Sequence, residues 1–378
     1  MNLLSSNALA PAERGLFAFF LQVAYVATVL VLLGVERPYV ATRTNVSFPQ
    51  AYAEMSRLTR SAWLGSVLVG SSAVYFAVGE EWLLAGLVLA AALYMIANVS
   101  TRKVRVSYIA SGTPAPFLWT IAGIQVPLLI TGVVLVALEV HSPLPWLLAY
   151  TVTGFAAPLV ALAARRRHTD QTGPIDTEVL APIRREGLRL LPASFGNTAL
   201  LRSDRLLLPI LSSPAELGRY VAVATLMEMG TWPVQQWVDA SLGKWRERRD
   251  QGPGYRVIVL AVLGAIGITA CLAALTYLVI EHWLPPEYRD SQRLLLPLAA
   301  GTALYAGTRI QQGLMIARGY PGAVSIAETS GMVISVALYA ILMPQYGAMG
   351  AAIGSAVGYL ALLIVAGAMQ LHKTPRHP

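Results

Sequence analysis

Residues 198–226, TALLRSDRLLLPILSSPAELGRYVAVATL, read as the end of one apolar helix, a short turn at Ser212-Ser213-Pro214, and the start of a second apolar helix. Arg202, Asp204 and Arg205 stand inside the first of these. A helix in water turns its charges to solvent. Here the neighbours are Leu, Ile, Ala and Val, so each charge must face protein or a wet cavity, which is the signature of a segment dissolved in lipid.

The same texture runs outward through all 378 residues, of which 56% are hydrophobic and only 13% charged, with a mean hydropathy of +0.57. A soluble chain carries about a quarter charged residues. Apolar runs close to the ~20 residues needed to cross ~30 Å of hydrocarbon recur from Gly15 to the last turn before His372. The expected fold is therefore an all-α polytopic membrane protein, with eleven spans at 15–35, 61–79, 82–100, 115–138, 144–164, 188–211, 216–240, 255–280, 292–316, 321–343 and 346–371. They divide into an N-terminal lobe of five spans (1–164), a basic cytoplasmic linker (165–187), a C-terminal lobe of six spans (188–371) and a cytoplasmic tail (372–378).

Several chemistries are excluded at once. The single cysteine, Cys271, lies inside an apolar run and the five histidines fall in joints or the tail, so disulfides, zinc sites and Cys-His catalysis have no basis. Gly243-Lys244 is followed by Trp245, with Val238 where a phosphate-binding loop needs its first glycine. No cofactor is expected. The net charge of +8 sits in alternating joints, which makes it a topology signal and not a nucleic-acid footprint.

One set of alternate joints holds twenty of the Lys and Arg residues, among them Arg37, Arg43, Arg102, Arg105, Arg165, Arg184, Lys244 and Arg318. The opposite set holds only Arg14, Arg219, Arg289 and Arg293 and collects Glu80, Glu81, Glu139, Glu281, Glu287 and Asp290. The first set is cytoplasmic by the positive-inside rule. Trp63, Trp82, Trp119, Trp146, Trp245 and Trp283 fall near span ends, where indoles favour the headgroup layer. With this orientation the N-terminus lies outside with no preceding span, so one further apolar helix is expected upstream.

Polar groups at membrane depth concentrate in the second half. Arg202 and Arg205 share a helical face with Thr198, and Asp204 points nearly opposite. Glu228, Trp232, Gln235 and Asp239 form one expected stripe, Thr302, Tyr305, Arg309 and Gln312 another, and Glu328 with Ser325 a third. Four helices with such stripes suggest a water-filled cavity. The competing reading is a set of buried ion pairs that fix packing. Gly350, Gly354 and Gly358, at four-residue spacing, read as packing alone.

Three stretches carry a family likeness. Residues 198–226, with an Asp in an apolar helix, a Ser-rich turn and an acidic-x-Gly-x-Tyr step, resemble the seventh-helix signature of the polysaccharide exporters (O-antigen, Wzx-like flippases) of the multidrug/oligosaccharidyl-lipid/polysaccharide (MOP) superfamily. Residues 318–366, with Gly319-Tyr320-Pro321, Glu328 and Pro344-Gln345-Tyr346-Gly347, are similar to that family's last two helices, and 10–20 (APAERGLFAFF) to the start of its second helix. The resemblance implies a MATE-like fold of two six-helix lobes working by alternating access, here with five helices before the linker because the first is absent. It implies transfer of a polyprenyl-diphosphate-linked glycan across a bacterial plasma membrane, without catalysis, beside glycosyltransferases and a polysaccharide polymerase. Arg202, Arg205 and Arg309, with Gln312, Tyr305 and Gln235, are the candidate cavity residues for the diphosphate and glycan. Glu228, Asp239, Glu328 and Asp204 are the candidate ion-coupling carboxylates. No charge lies deep in the first lobe, which favours O-antigen, capsule or teichoic-acid-type exporters over the lipid II branch. A cation-coupled drug or metabolite exporter is the alternative, and a membrane glycosyltransferase or polymerase lacks the large external loop it needs.

The orientation is tested by cysteine labelling of intact cells in a Cys271→Ser background. A cysteine at Glu287 should label without permeabilisation and one at Arg184 only after it; the reverse pattern overturns the assignment.

Overall fold

The computed structural model describes residues 1–113, 115–167, 177–247 and 255–373, and among these the regular structure is helical throughout. In chain order the helices are α1 (Asn2–Ala8), α2 (Pro11–Val31), α3 (Glu36–Thr42), α4 (Phe48–Leu58), α5 (Ala62–Val78), α6 (Trp82–Ala110), α7 (Ala115–Ala137), α8 (Pro143–Gly154), α9 (Ala156–Arg167), α10 (Thr177–Leu211), α11 (Pro214–Glu228), α12 (Trp232–Glu247), α13 (Tyr255–His282), α14 (Leu295–Ala317) and α15 (Pro321–Lys373). Two 3-10 segments, Met229–Thr231 and Pro286–Leu294, lead into α12 and α14.

Each of the eleven expected spans lies largely on helix, although 15–35 outruns α2 at Val31, 144–164 divides into α8 and α9, and 216–240 divides into α11 and α12. Six helical stretches are long and apolar enough to cross a membrane on length and composition, or seven if the bent pair α4 and α5 counts as one. The stretch Gly322–Gln370 is one of the six, yet its 49 residues at 1.5 Å each far exceed a bilayer. It is two helices, joined where Gly347 takes φ +53° and ψ −128°. The expected spans outside those stretches are 188–211, 216–240 and 292–316, which hold the buried Asp204, Arg205 and Gln312. Hydropathy alone discounts the very helices whose polar residues find partners.

Several expectations are corrected. The joint left between the first two expected spans, 36–60, contains the helices α3 and α4, and α4 meets α5 at 54°. Its hydrophobic face, Phe48, Ala51, Met55 and Leu58, is buried, which is why a stretch with a polar opposite face folds as helix. Within the expected linker, α9 reaches Arg167 and α10 starts at Thr177; residues 168–176 lie outside the described residues, as do 248–254 of the basic stretch after α12 and 374–378 of the tail. Trp63, Trp82, Trp119 and Trp283 are exposed, as interfacial residues should be, but Trp146 and Trp245 are core. The Trp146 indole donates to the Val140 carbonyl at 3.1 Å, and Trp245 packs edge-on against Trp237.

The chain divides into two compact units, one of Met1, Leu3–Leu9 and Leu16–Thr198, the other of Asn2, Ala10–Gly15 and Ala199–Pro378. The first unit has an apolar core of Phe17, Leu87, Ala91, Met95, Trp146 and Leu147. Its buried polar groups inside that bundle are neutral: Tyr94 donates to Tyr25 at 3.0 Å, Asn98 to Thr28 at 3.3 Å, and Thr151 to the Ala90 carbonyl at 3.1 Å. Charge enters beside the bundle, where Arg43 pairs with Glu54 at 2.5 Å and Tyr39 donates to the same carboxylate at 2.9 Å. Burial, then the adjoining Glu54, push the Tyr39 hydroxyl above its usual range and keep it a donor.

The second unit is built on close backbone approach. A Cβ at Gly218 would overlap the Pro11 carbonyl oxygen, and one at Gly15 the Pro214 carbonyl oxygen, so α11 and the start of α2 cross with nothing between their backbones. Across the break in α15, Gly350 lies against the Leu342 carbonyl, and Gly354 and Gly358 make room for the Tyr339 ring and the Ser335 hydroxyl. α13 is the opposite case. Only 11% of its apolar window is buried, and Leu260, Leu263, Leu275 and Leu278 stand exposed, a face suited to lipid and to nothing in water.

Gly218→Ala should cost about 1–3 kcal/mol by overpacking, read as a lower unfolding temperature in detergent. Gly264→Ala, where a Cβ meets nothing within 4 Å, is the control and should leave that temperature unchanged or slightly raised.

Candidate functional site

α10 carries three charged residues within four positions, and the helical turn sends them to different partners. Asp204 is 4% exposed and accepts the Tyr220 hydroxyl at 2.6 Å and the Arg205 backbone N–H at 2.8 Å. Arg205, 3% exposed, donates through Nη2 to Glu228 at the C-terminus of α11. Arg202 reaches the other oxygen of Glu228 from Nη1 at 3.4 Å. Glu228 thus faces two guanidiniums, and with Asp204 beside Arg205 the group counts two guanidiniums and two carboxyl groups. Its members differ in access: the Arg202 and Glu228 side chains are about a third exposed, whereas the Arg205 side chain is enclosed and its Nε is buried without a hydrogen-bond partner.

A second cluster joins α14 to α15. The Gln312 amide, 2% exposed, accepts from Arg309 Nη1 at 3.1 Å and donates to Glu328 Oε1 at 3.4 Å. An amide between a cation and an anion satisfies both without bringing them together. Arg309 Nε is buried with no hydrogen-bond partner, so this guanidinium keeps unused donor capacity. Tyr305 is packed, with its ring centroid 4.9 Å from that of Tyr359.

The expected stripe Glu228, Trp232, Gln235, Asp239 does not form a single face. The 3-10 turn Met229–Thr231 winds at three residues per turn where an α-helix takes 3.6, which rotates α12 by roughly 60° relative to α11. Gln235 instead donates to Thr231 at 3.4 Å. Trp232 and Asp239 are exposed. Asp239 has no hydrogen-bond or ion-pair partner among the described residues, and the structure gives it no link to Glu228.

The Ser-rich turn and the acidic-x-Gly-x-Tyr step that follow are architecture. Ser213 caps α11, its Oγ accepting from the Glu216 N–H at 3.2 Å. Glu216 then pairs with Arg219 at 2.6 Å through one oxygen and accepts the Ala348 N–H at 2.8 Å through the other. That N–H follows Gly347, so Glu216 pins the break in α15. Gly218 permits the backbone crossing and Tyr220 satisfies Asp204. Sequence reading set Asp204 among the coupling carboxylates and left Glu216 unassigned; the available signal was that an acid two residues after Ser-Pro sits at N3 of a capped helix.

No protein-family model and no curated protein matches the chain. Solved structures do. An inward-facing multidrug resistance MATE family transporter of the MOP superfamily superposes with a TM-score of 0.68 at 12% identity, covering 99% of this chain and 95% of the other. The eukaryotic MATE transporter AtDTX14 gives 0.57 at 15% identity over 98% and 88%, and the lipid II flippase MurJ in an inward closed conformation 0.54 at 12% over 99% and 86%. The chain shares the fold of these solved structures. With its apolar helices, that fold makes the chain a multi-pass α-helical membrane protein. At this identity the likeness is one of fold and leaves substrate open.

Arg205→Gln should destabilise the protein by about 3 kcal/mol, the low end for a severed buried pair because Glu228 is partly open, and Arg205→Gln with Glu228→Gln should recover part of that loss. Additive losses in this cycle, measured by unfolding in detergent, would mean that the two residues do not stabilise each other. Tyr220→Phe should cost about 1–3 kcal/mol by leaving the buried Asp204 short of a donor.

Proposed function

We propose that the chain is a flippase that moves a lipid-diphosphate-linked oligosaccharide from the cytoplasmic to the outer leaflet of a bacterial plasma membrane, by alternating access, for the assembly of cell-surface polysaccharide. The observation that carries this reading is the Arg202–Glu228–Arg205 cluster, which sets two guanidiniums on one carboxylate inside an apolar unit and leaves the Arg202 side chain a third exposed. A diphosphate is doubly anionic, and a guanidinium fork pairs with its oxygens in a bidentate way. Arg309, held by Gln312 with donor capacity to spare, is the second contact. Arg205 is assigned a different task from the one its sequence suggested: enclosed and clasped by Glu228, it holds that carboxylate in place.

Glu228 then has two competitors for its charge. When the diphosphate engages Arg202, the carboxylate loses part of its pairing and takes a proton or cation more readily, which couples substrate to ion by electrostatics alone. Gln312 and Glu328 support Arg309 in the same fashion. The glycan requires a wet path and the polyprenyl tail stays in lipid. Glycosyltransferases would supply this substrate and a polysaccharide polymerase would consume it.

The second reading is a cation-coupled drug or metabolite exporter. The multidrug transporter has the higher TM-score of the two kinds of relative, and Glu228 suits a cationic drug as well as it suits a proton. The two readings part at the arginines. In cells that depend on this chain for surface glycan, Arg202→Lys and Arg309→Lys should lower export at least tenfold at unchanged membrane abundance, because lysine keeps the charge and loses the fork. Normal glycan export in both variants, with drug resistance lost in Glu228→Gln, would favour the drug exporter.

A further inference from the structure

The first unit contains a cavity of about 510 Å³ lined by residues of α2, α3, α6 and α10, in the size range of small-molecule sites. Its construction begins at Gly34, whose φ of +67° turns the chain sharply between α2 and α3. A Cβ there would come 2.6 Å from the Gly187 carbonyl, so α10 lies directly against the turn and Thr198 of the same helix reaches the cavity wall. The charged lining is Arg37, Arg102, Arg105 and Glu36. Arg102 donates to Glu36 at 2.9 Å, which uses the cavity's one carboxylate. Arg37 and Arg105 are exposed, and neither has an ion-pair partner among the described residues. Two guanidiniums therefore share one hollow with their charge uncompensated. Val29, Val40, Val106 and Ile109 supply an apolar wall beside them.

We propose that this cavity binds the phosphate headgroup of an anionic lipid. Two arginines held against mutual repulsion in one pocket favour a ligand with at least two anionic oxygens, and phosphate matches the guanidinium fork. The apolar wall suits the first methylenes of a lipid better than it suits a free, fully hydrated ion. The charge bias sets this end of α6 on the cytoplasmic side, where anionic headgroups concentrate and where basic pockets between membrane helices recruit them. The headgroup is either that of a bilayer phospholipid or the diphosphate of a polyprenyl-linked sugar; the chemistry of the pocket is the same for both. No residue of the Arg202 and Arg309 clusters lines it, and the proposal stands whether or not the flippase reading is correct.

The test is native mass spectrometry of the full chain in micelles titrated with phosphatidylglycerol, with undecaprenyl diphosphate, or with zwitterionic phosphatidylcholine as control. Wild-type protein should retain one or both anionic lipids over phosphatidylcholine. Arg37→Gln with Arg105→Gln should weaken that retention about tenfold, the value of one lost charged hydrogen bond, at an unchanged unfolding temperature. Glu36→Gln removes the competing carboxylate and should strengthen it, a gain that a merely structural role for these residues would not produce. Preference for undecaprenyl diphosphate would make the pocket an entry site for a substrate, and preference for phosphatidylglycerol a site for a resident lipid. Equal retention by wild type and the double variant, no preference over phosphatidylcholine, or no gain in Glu36→Gln would each overturn the proposal.

Discussion

Hydrocarbon offers no hydrogen bonds, so a charge placed in an apolar helix must be answered by another side chain, and that constraint shapes the second unit. Asp204 is answered by the Tyr220 hydroxyl from the middle of α11 and Arg205 by Glu228 from its C-terminal end. The two contacts are about two helical turns apart along α11 and one residue apart along α10. Together they fix both the separation and the rotation of the two helices, which small-residue packing alone leaves free to slide. Glu216 extends the same logic to the break in α15, where the Ala348 N–H that follows Gly347 finds its acceptor.

The first unit meets the constraint by avoiding it. Its bundle is tied by hydroxyl and amide contacts such as Tyr94 to Tyr25 and Asn98 to Thr28, and its charges are gathered beside the bundle, in α3, α4 and the end of α6. Ion handling therefore falls to the second unit in this account. Headgroup recruitment falls to the first.

The helices were legible in the sequence because apolar run length and punctuation report directly on lipid solubility. Even 188–211, 216–240 and 292–316 could be placed, since prolines, turns and charge alternation bracket them. The phase of the Glu228 to Asp239 stripe was not legible, because three residues of 3-10 winding at Met229–Thr231 leave no mark in composition. Arg37, Arg102 and Arg105 read as topology charges, and only the folded turn at Gly34 and the neighbouring α10 bring them round one cavity. Pairing was invisible for a related reason: Arg202 and Arg205 share a helical face, but which one is enclosed depends on where α11 ends.

The central claim is that the partly exposed Arg202 guanidinium of the Arg202–Glu228 cluster recognises a lipid diphosphate and that Glu228 couples it to an ion. Proteoliposomes containing only this chain and a fluorescent polyprenyl-diphosphate oligosaccharide test it directly, with transbilayer movement followed by quenching from outside. The account predicts movement that is accelerated by an imposed proton or sodium gradient in wild type, insensitive to the gradient in Glu228→Gln, and lost in Arg202→Lys. Gradient-independent movement in wild type, or full activity in Arg202→Lys, would contradict it.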